Sequence, residues 1–287
     1  MKIVVRFAVF VCLVCCCSNK LTAANAPKKE VAIRFCAMGD LPYVMSEWQL
    51  LEEQVRELPD DIDFVVHLGD IKRGVLPCFE PNYKRVAEIL GKSKSPAFIV
   101  LGDNEWNDCL RPEVGLTYWK RHLLRLDERW KHGLNVSHDA TRDENFAFVK
   151  KGVLVIGINL VGGRILDKDE WKARHKGNAR WIEQSLEAAK RNGKITSMVI
   201  LGHARPTKDH DDFFKPFAKI ADDFDKPVLY LHGDGHSWEV KKDFKKKNIT
   251  RVQVDQGAKG PPVLITVETS GKKPFDFDRR GAGKKKD

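Results

Sequence analysis

Asp63-Phe64-Val65-Val66-His67-Leu68-Gly69-Asp70 decides how this chain folds. An apolar, β-branched run of this length is a buried strand. Glycine lets the backbone turn sharply where the run ends, and an aspartate stands at the turn. The pattern recurs along the chain. The run VAIRFCAM ends in Gly39-Asp40, and AFIVL ends in Gly102-Asp103-Asn104-Glu105. SMVIL ends in Gly202-His203, and KPVLYLH in Gly233-Asp234-Gly235-His236. Parallel strands with helical crossovers bring their C-terminal ends to one sheet edge, where open α/β sheets carry their sites. Asp40, Asp70, Asp103, His203 and His236, with Asp234 beside them, are therefore expected at one spot. So many like charges are stable together only around cations. The sequence asks for metal.

Working outward, the patterning predicts a strand over 31–38 and a helix over 46–57 with Ser46 as its cap. Strand 63–68 follows, then a helix from near Pro81, where proline fits a first turn. Strand 97–101 and a helical stretch 116–126 come next. Two strands, 145–149 and 153–159, are joined by a Lys150-Lys151-Gly152 turn. A long helix over 169–192 is closed by Gly193. Strand 196–201, a helix near 211–223 and strand 228–232 complete the βα series. The end is strand-only: 238–241, 250–254 and 263–267. A βαβαβ start with an antiparallel finish predicts an α/β (α+β) fold, a four-layer sandwich of two mixed β-sheets flanked by helices. With 287 residues and 42% hydrophobic content, the chain suffices for one domain over 31–268.

The N-terminus is separate from that domain. Lys2 and Arg6 precede an apolar run from Phe7 to Cys17, too short to span a bilayer. Thr22-Ala23-Ala24 suits cleavage, so residues 1–24 are expected to be a secretory signal peptide and the protein to be secreted or periplasmic. An uncleaved anchor, or a lipoprotein site at Cys15–Cys17, is the alternative. No other segment is apolar enough to cross a membrane. Removing Lys2, Arg6 and Lys20 with no acid lowers the formal charge from +10 to +7. Much of the excess lies in the cluster Lys241, Lys242, Lys245, Lys246 and Lys247, and in residues 269–287, expected to be a basic flexible tail. No stacking aromatics interleave with these lysines, which disfavours nucleic acid as a partner. Cys36, Cys78 and Cys109 follow the leader. Cys36 lies inside a strand as a small apolar residue. Cys78 and Cys109 follow Asp70 and Asp103 closely, and an oxidising compartment predicts a disulfide between them, two free thiols being the alternative.

The ordered motifs resemble the calcineurin-like metallophosphoesterase superfamily, which includes the purple acid phosphatases. The resemblance spans about residues 31–267. It is closest to a bacterial subgroup carrying Gly-Asp-x-Pro-Tyr, Gly-Asp-Asn-Glu-Trp and His-Gly-Asp-x-His. Those stretches are Gly39-Asp40-Leu41-Pro42-Tyr43, Gly102-Asp103-Asn104-Glu105-Trp106 and His232-Gly233-Asp234-Gly235-His236 here. The resemblance implies a dinuclear centre. Asp40 and His236 would bind the first metal, Asp70 would bridge, and Asp103 and His203 would bind the second. Asp234 would replace the first histidine of the usual Gly-His-x-His. Two departures matter. Pro42 stands where the family's first motif has a histidine ligand, and Asn104 where it has a catalytic histidine.

Carboxylates with a few imidazoles suit two divalent or trivalent ions, Mn, Fe, Zn or Mg. Such a pair acidifies a bridging water, and the hydroxide attacks phosphorus in line. The expected function is an exported metal-dependent hydrolase of phosphate mono- or diesters, acting on a small phosphoester. Asn104, His67, Glu105 and His232 are candidates to assist the leaving oxygen; a hydrogen-bonded structural role is the alternative for each histidine. Lys72, Arg73 and Arg205 follow ligands closely and could hold phosphate. Tyr43 and Trp106 could wall a pocket or pack under the loops. His210 lies in the loop before the helix near 211–223 and is not counted among the site residues. A non-catalytic metal- or phosphate-binding module on the same fold is the rival function, motivated by Pro42 and Asn104. Asn135-Val136-Ser137 and Asn248-Ile249-Thr250 are glycosylation acceptors if the host glycosylates.

Overall fold

The computed structural model describes residues 1, 30–74, 76–269, 271 and 273–281. Apart from Met1, the expected leader over 1–24 lies outside them.

Two mixed sheets form the inner layers. The first holds β1 (Val31–Met38), β2 (Phe64–His67), β3 (Ala97–Ile99), β11 (Val263–Glu268) and β12 (Phe275–Asp278), in the order β12-β11-β1-β2-β3. β1, β2 and β3 run parallel, while β11 is antiparallel to β1. The second sheet holds β4 (Ser137–His138), β5 (Phe146–Lys150), β6 (Val153–Gly157), β7 (Ser197–Leu201), β8 (Val228–His232), β9 (Glu239–Lys241) and β10 (Ile249–Gln253), in the order β4-β5-β6-β7-β8-β10-β9. There β6, β7, β8 and β10 are parallel. The helices are α1 (Met45–Arg56), α2 (Glu80–Leu90), α3 (Pro112–His122), α4 (Lys168–Asn192) and α5 (Asp211–Phe224).

Period-2 alternation sorts each strand between two cores. In β1, Ile33, Phe35 and Ala37 face the other sheet, whereas Cys36 and Met38 face α1 and α2. In β7, Val199 and Leu201 point inward, and Met198 and Ile200 pack on α4 and α5. Between the sheets Phe64 stacks on Phe35 at 4.6 Å and meets Phe148 of the opposite sheet edge-on at 5.5 Å. Each such ring contributes roughly 1.5–3 kcal/mol by burial. That shared core fixes both sheets relative to each other, so strand ends from both can build one site.

The predicted elements are present, with local corrections. Ser46 lies inside α1, not at its cap. Val44 holds the cap position and the Glu47 carboxylate accepts from the Tyr43 amide. The stretch expected as a flexible tail contributes strand β12, whose Phe275 and Phe277 pack against the inter-sheet core. At α5, Asp211 and Asp212 sit in the first turn, as dipole partners should.

Candidate metal centre

The parallel strands deliver their C-terminal ends to one edge. The loops are tied there within and between sheets. The Asp40 amide donates to Gly69 O at 3.0 Å, and the Asp234 amide donates to Asp40 Oδ1 at 3.1 Å. His203 Nδ1 donates to Leu68 O at 2.6 Å, joining the second sheet to the first. Asp40, Asp70, Asp234 and His236 all adopt left-handed backbone, with φ of 58°, 61°, 65° and 58°. Outside glycine this costs on the order of 1 kcal/mol per residue. A fold retains four such residues in one place when the geometry of the place requires them. Gly102 shows how close the loops approach: a Cβ there would lie 2.2 Å from the Asp70 nitrogen.

The expected donors converge. Asp40, Asp70 and His203 bring ligand atoms within 4.8 Å of one another, and so do Asp103, His203 and Asp234. His236 Nε2 lies 3.2 Å from Asp40 Oδ1. The grouping differs from the one the family resemblance implies: His203, not Asp70, belongs to both clusters, and His236 belongs to neither. With its Nδ1 proton given to Leu68, the ring presents a lone pair at Nε2 whenever it is neutral. That nitrogen faces Asp70 Oδ1 at 3.2 Å and Asp103 Oδ1 at 3.0 Å. Neither His203 Nε2 nor Asp103 Oδ1 has a hydrogen-bond partner. Acceptors turned toward one another in a buried place fit a cation between them.

The electrostatics agree. Burial pushes Asp70 up to about 6, and the Asp103 and Asp40 charges add to the push while His203 opposes it. Burial also raises Asp234, and its carboxylate neighbours add to it. Burial alone would lower His203, yet Asp70 and Asp103 hold it well above the usual imidazole range. A hydrogen bond that His236 donates to the Asp40 carboxylate raises the His236 pKa. A proton on His203 and a metal ion beside it are alternative answers to the same field.

Tyr43 is more central than a pocket wall. Its hydroxyl is 2.8 Å from Asp70 Oδ2, 3.2 Å from His236 Nε2 and 3.3 Å from Asp40 Oδ1. Burial and those two carboxylates raise its pKa, so it stays protonated. Asn104 donates from Nδ2 to Asp70 Oδ2 at 2.5 Å and from its amide to Asp70 Oδ1 at 3.1 Å. It is thus turned onto the Asp70 carboxylate.

Other expected site residues turn elsewhere. Glu105 is fully buried and accepts from the amides of Gly102 at 2.6 Å, Asp70 at 3.2 Å and Ile71 at 3.3 Å. It braces the two ligand loops from behind and does not reach a leaving group. His67 is likewise not an acid for the reaction. Its Nε2 donates to Leu41 O at 3.0 Å, its Nδ1 accepts from the Gly69 amide at 3.2 Å, and burial lowers its pKa to about 4. His232 is held between Gly233 O and Arg251 Nε. Lys72 is spent on backbone, donating to Arg73 O at 2.7 Å and Asn104 O at 2.9 Å. Trp106 packs under the loop, with the Arg174 guanidinium 4.7 Å over its ring. His210 is buried against Trp171 and His175. Arg73 and Arg205 are exposed beside the ligand loops, and the Arg205 amide donates to Asp234 Oδ2 at 3.0 Å.

Cys78 and Cys109 form the expected disulfide, pinning the loop after β2 to the loop after β3. One element was not anticipated. Gly162 and Gly163, after β6, back onto the second cluster: a Cβ at Gly163 would lie 2.8 Å from Asp103 Oδ2, and its φ is 71°. The Gly-Gly pair just beyond a predicted strand was the available signal.

The calcineurin-like phosphoesterase family model matches residues 33–244. No curated protein sequence matches the chain significantly. Among solved structures, GAP50, the anchor in the inner membrane complex of Plasmodium, is similar at TM-score 0.50 and 12% identity, over 87% of this chain and 89% of that one. The 5'-nucleotidase from Candida albicans is similar at TM-score 0.50 and 14% identity, over 87% of this chain and 52% of that one. This chain thus spans about half of that protein. Identities this low speak for the fold alone.

Proposed function

This chain belongs to the calcineurin-like phosphoesterase family, and from that membership and its donor geometry we propose that it hydrolyses phosphoesters with two metal ions. One observation carries the proposal: two three-residue clusters share His203, whose Nε2 and the neighbouring Asp103 Oδ1 are buried without hydrogen-bond partners. Asp40, Asp70, Asp103, His203, Asp234 and His236 would hold the ions. Bound there, the ions supply Lewis-acid charge neutralisation and acidify water. Mn, Fe, Zn and Mg all suit the donor set.

The chain's own groups then have separate tasks. Arg73 and Arg205 stand exposed at the rim, free to pair with phosphoryl oxygens. Tyr43 keeps its proton and is the nearest O–H donor to the ligand carboxylates, so we assign it to hydrogen-bond or protonate the leaving oxygen. Asn104 orients Asp70 through two hydrogen bonds. Export through the N-terminal segment is part of the proposal, and the Cys78–Cys109 disulfide supports it, since such bonds persist in oxidising compartments.

A non-catalytic binding module is the second reading, because Asn104 is turned onto Asp70 and carries no proton to give. Hydrolysis of chromogenic mono- and diesters separates the two. The protein is stripped of metal, refilled with Mn, Zn, Fe or Mg, and compared with Asp70→Asn. Metal-dependent turnover that the substitution lowers at least about a hundredfold supports the enzyme and reports its ester class. A folded protein that binds metal and turns over nothing would leave the binding module standing.

A further inference from the structure

Eleven large apolar side chains are exposed among the described residues, and seven of them lie just past the strand ends that carry or back the metal centre. Val44 and Met45 follow Tyr43 after β1, with Met45 80% exposed. Leu76 and Phe79 follow Asp70 after β2, with Phe79 58% exposed. Leu110 follows Asp103 after β3 and is 81% exposed, and Ile165 and Leu166 lie on the loop after β6. Four separate loops thus end in apolar tips on the edge where the ligands lie.

These tips are held outward by cross-links beside them. The Cys78–Cys109 disulfide joins the neighbours of Phe79 and Leu110. Arg164, next to Ile165, donates from Nη2 to Cys109 O at 2.7 Å and to Asn107 O at 2.8 Å. Exposed apolar groups that follow strand ends at one sheet edge mark an interaction surface. Among them Arg73 and Arg205 are exposed and enter no ion pair among the described residues. Isolated apolar tips from several loops, with free guanidinium groups between them, suit a fluid acyl layer under anionic head groups. A protein partner would instead call for a continuous, closely packed apolar patch.

We propose that this face docks on a lipid–water interface, and that the phosphoester taken by the centre carries acyl or alkyl chains. The docking half rests on the surface alone. The substrate half rests on the phosphoesterase function proposed above.

The test is flotation of the purified protein with vesicles of phosphatidylcholine, with and without phosphatidylglycerol. The parent is compared with a Met45→Ser, Phe79→Ser, Leu110→Ser triple variant and an Arg73→Ala, Arg205→Ala double variant. All share the same N-terminus, so any leader contributes equally. The triple variant is expected to lose at least about tenfold in partitioning while its turnover of a water-soluble ester is unchanged. The double variant is expected to lose the preference for anionic vesicles. On a short-chain lipid phosphoester, the parent's rate should rise sharply where micelles form, and the triple variant's should not. A Phe79→Trp variant guards against misfolding in the triple, and its emission should shift to the blue on vesicles. A parent that stays off both vesicles, or a triple variant that floats as the parent does, overturns the docking. Turnover of soluble esters with no rise at micelles overturns the lipid substrate. No turnover of any ester falls instead on the phosphoesterase function, and flotation is scored independently of it.

Discussion

Replacing Glu105 by alanine should unfold this protein more readily while touching none of the metal donors. The carboxylate is fully buried and accepts from the amides of Gly102, Asp70 and Ile71 at 2.6, 3.2 and 3.3 Å. Alanine leaves all three donors inside the protein without partners. A buried orphan costs roughly 1–3 kcal/mol, and here one bond is short and two are long. The sum is about 3–5 kcal/mol, at the upper end for a single substitution. Glu105→Gln keeps one acceptor oxygen for Gly102 and Asp70 but turns an NH2 toward the Ile71 amide. Its loss should be about 1–2 kcal/mol. Urea unfolding of the metal-stripped protein measures both, and stripping removes any contribution from ligand binding. Turnover of the refilled Gln variant completes the comparison. A loss below about 1 kcal/mol in the alanine variant would refute the bracing role. A Gln variant of parental stability that binds metal and has lost its turnover would show that the carboxyl acts in the chemistry after all.

Breaking the disulfide by Cys78→Ser with Cys109→Ser, which are 31 residues apart, should lower stability by about 2–4 kcal/mol. Thermal melts of the oxidised parent and the variant would show it, and identical melting would deny the bridge a stabilising part. Tyr43→Phe should leave the bound metal content unchanged yet lower turnover by about 10- to 100-fold, as judged by metal content and kinetics side by side; parental turnover would reduce Tyr43 to packing. Acid should act through His175 and His210, which lie 3.2 Å apart. Burial, then the neighbouring His210 and Arg174 charges, lower His175 to about 3, and burial and the Arg174 charge lower His210 to about 4. The unfolded chain takes up these protons near pH 6.5 and the folded chain does not, so the stabilisation is present above that pH and is lost as pH falls toward 4 and 3. His210→Asn should therefore flatten the stability profile over that interval, and an unchanged profile would count against this assignment.

What could be read from the sequence divides along a physical line. Strand runs closed by glycine and a donor fix the sheets and the edge of the site, because burial, period-2 alternation and crossover topology are all written in residue type. The five-run pattern therefore names the five residues of the two donor clusters found among the described residues. The direction of each neighbouring side chain is not written there. Asp40 and Asp70 turn through left-handed backbone, and past such a turn alternation no longer says which side a residue faces. Glu105, Lys72 and His67 each look like site residues by position. The turned loops point all three at backbone amides and carbonyls instead. The same turns bring Tyr43 from the rim to the middle of the ligands. Loops that reverse direction at a charged centre leave amides and carbonyls in need of partners, and buried polar groups must find them nearby. A dense metal edge of this kind thus needs a second set of polar residues behind the donors. Close to a ligand in sequence, a charged residue is as apt to serve that backing layer as the reaction. The exposed apolar tips belong to neither set, since they satisfy no donor and fill no core. That is the physical reason to look for their partner outside the molecule.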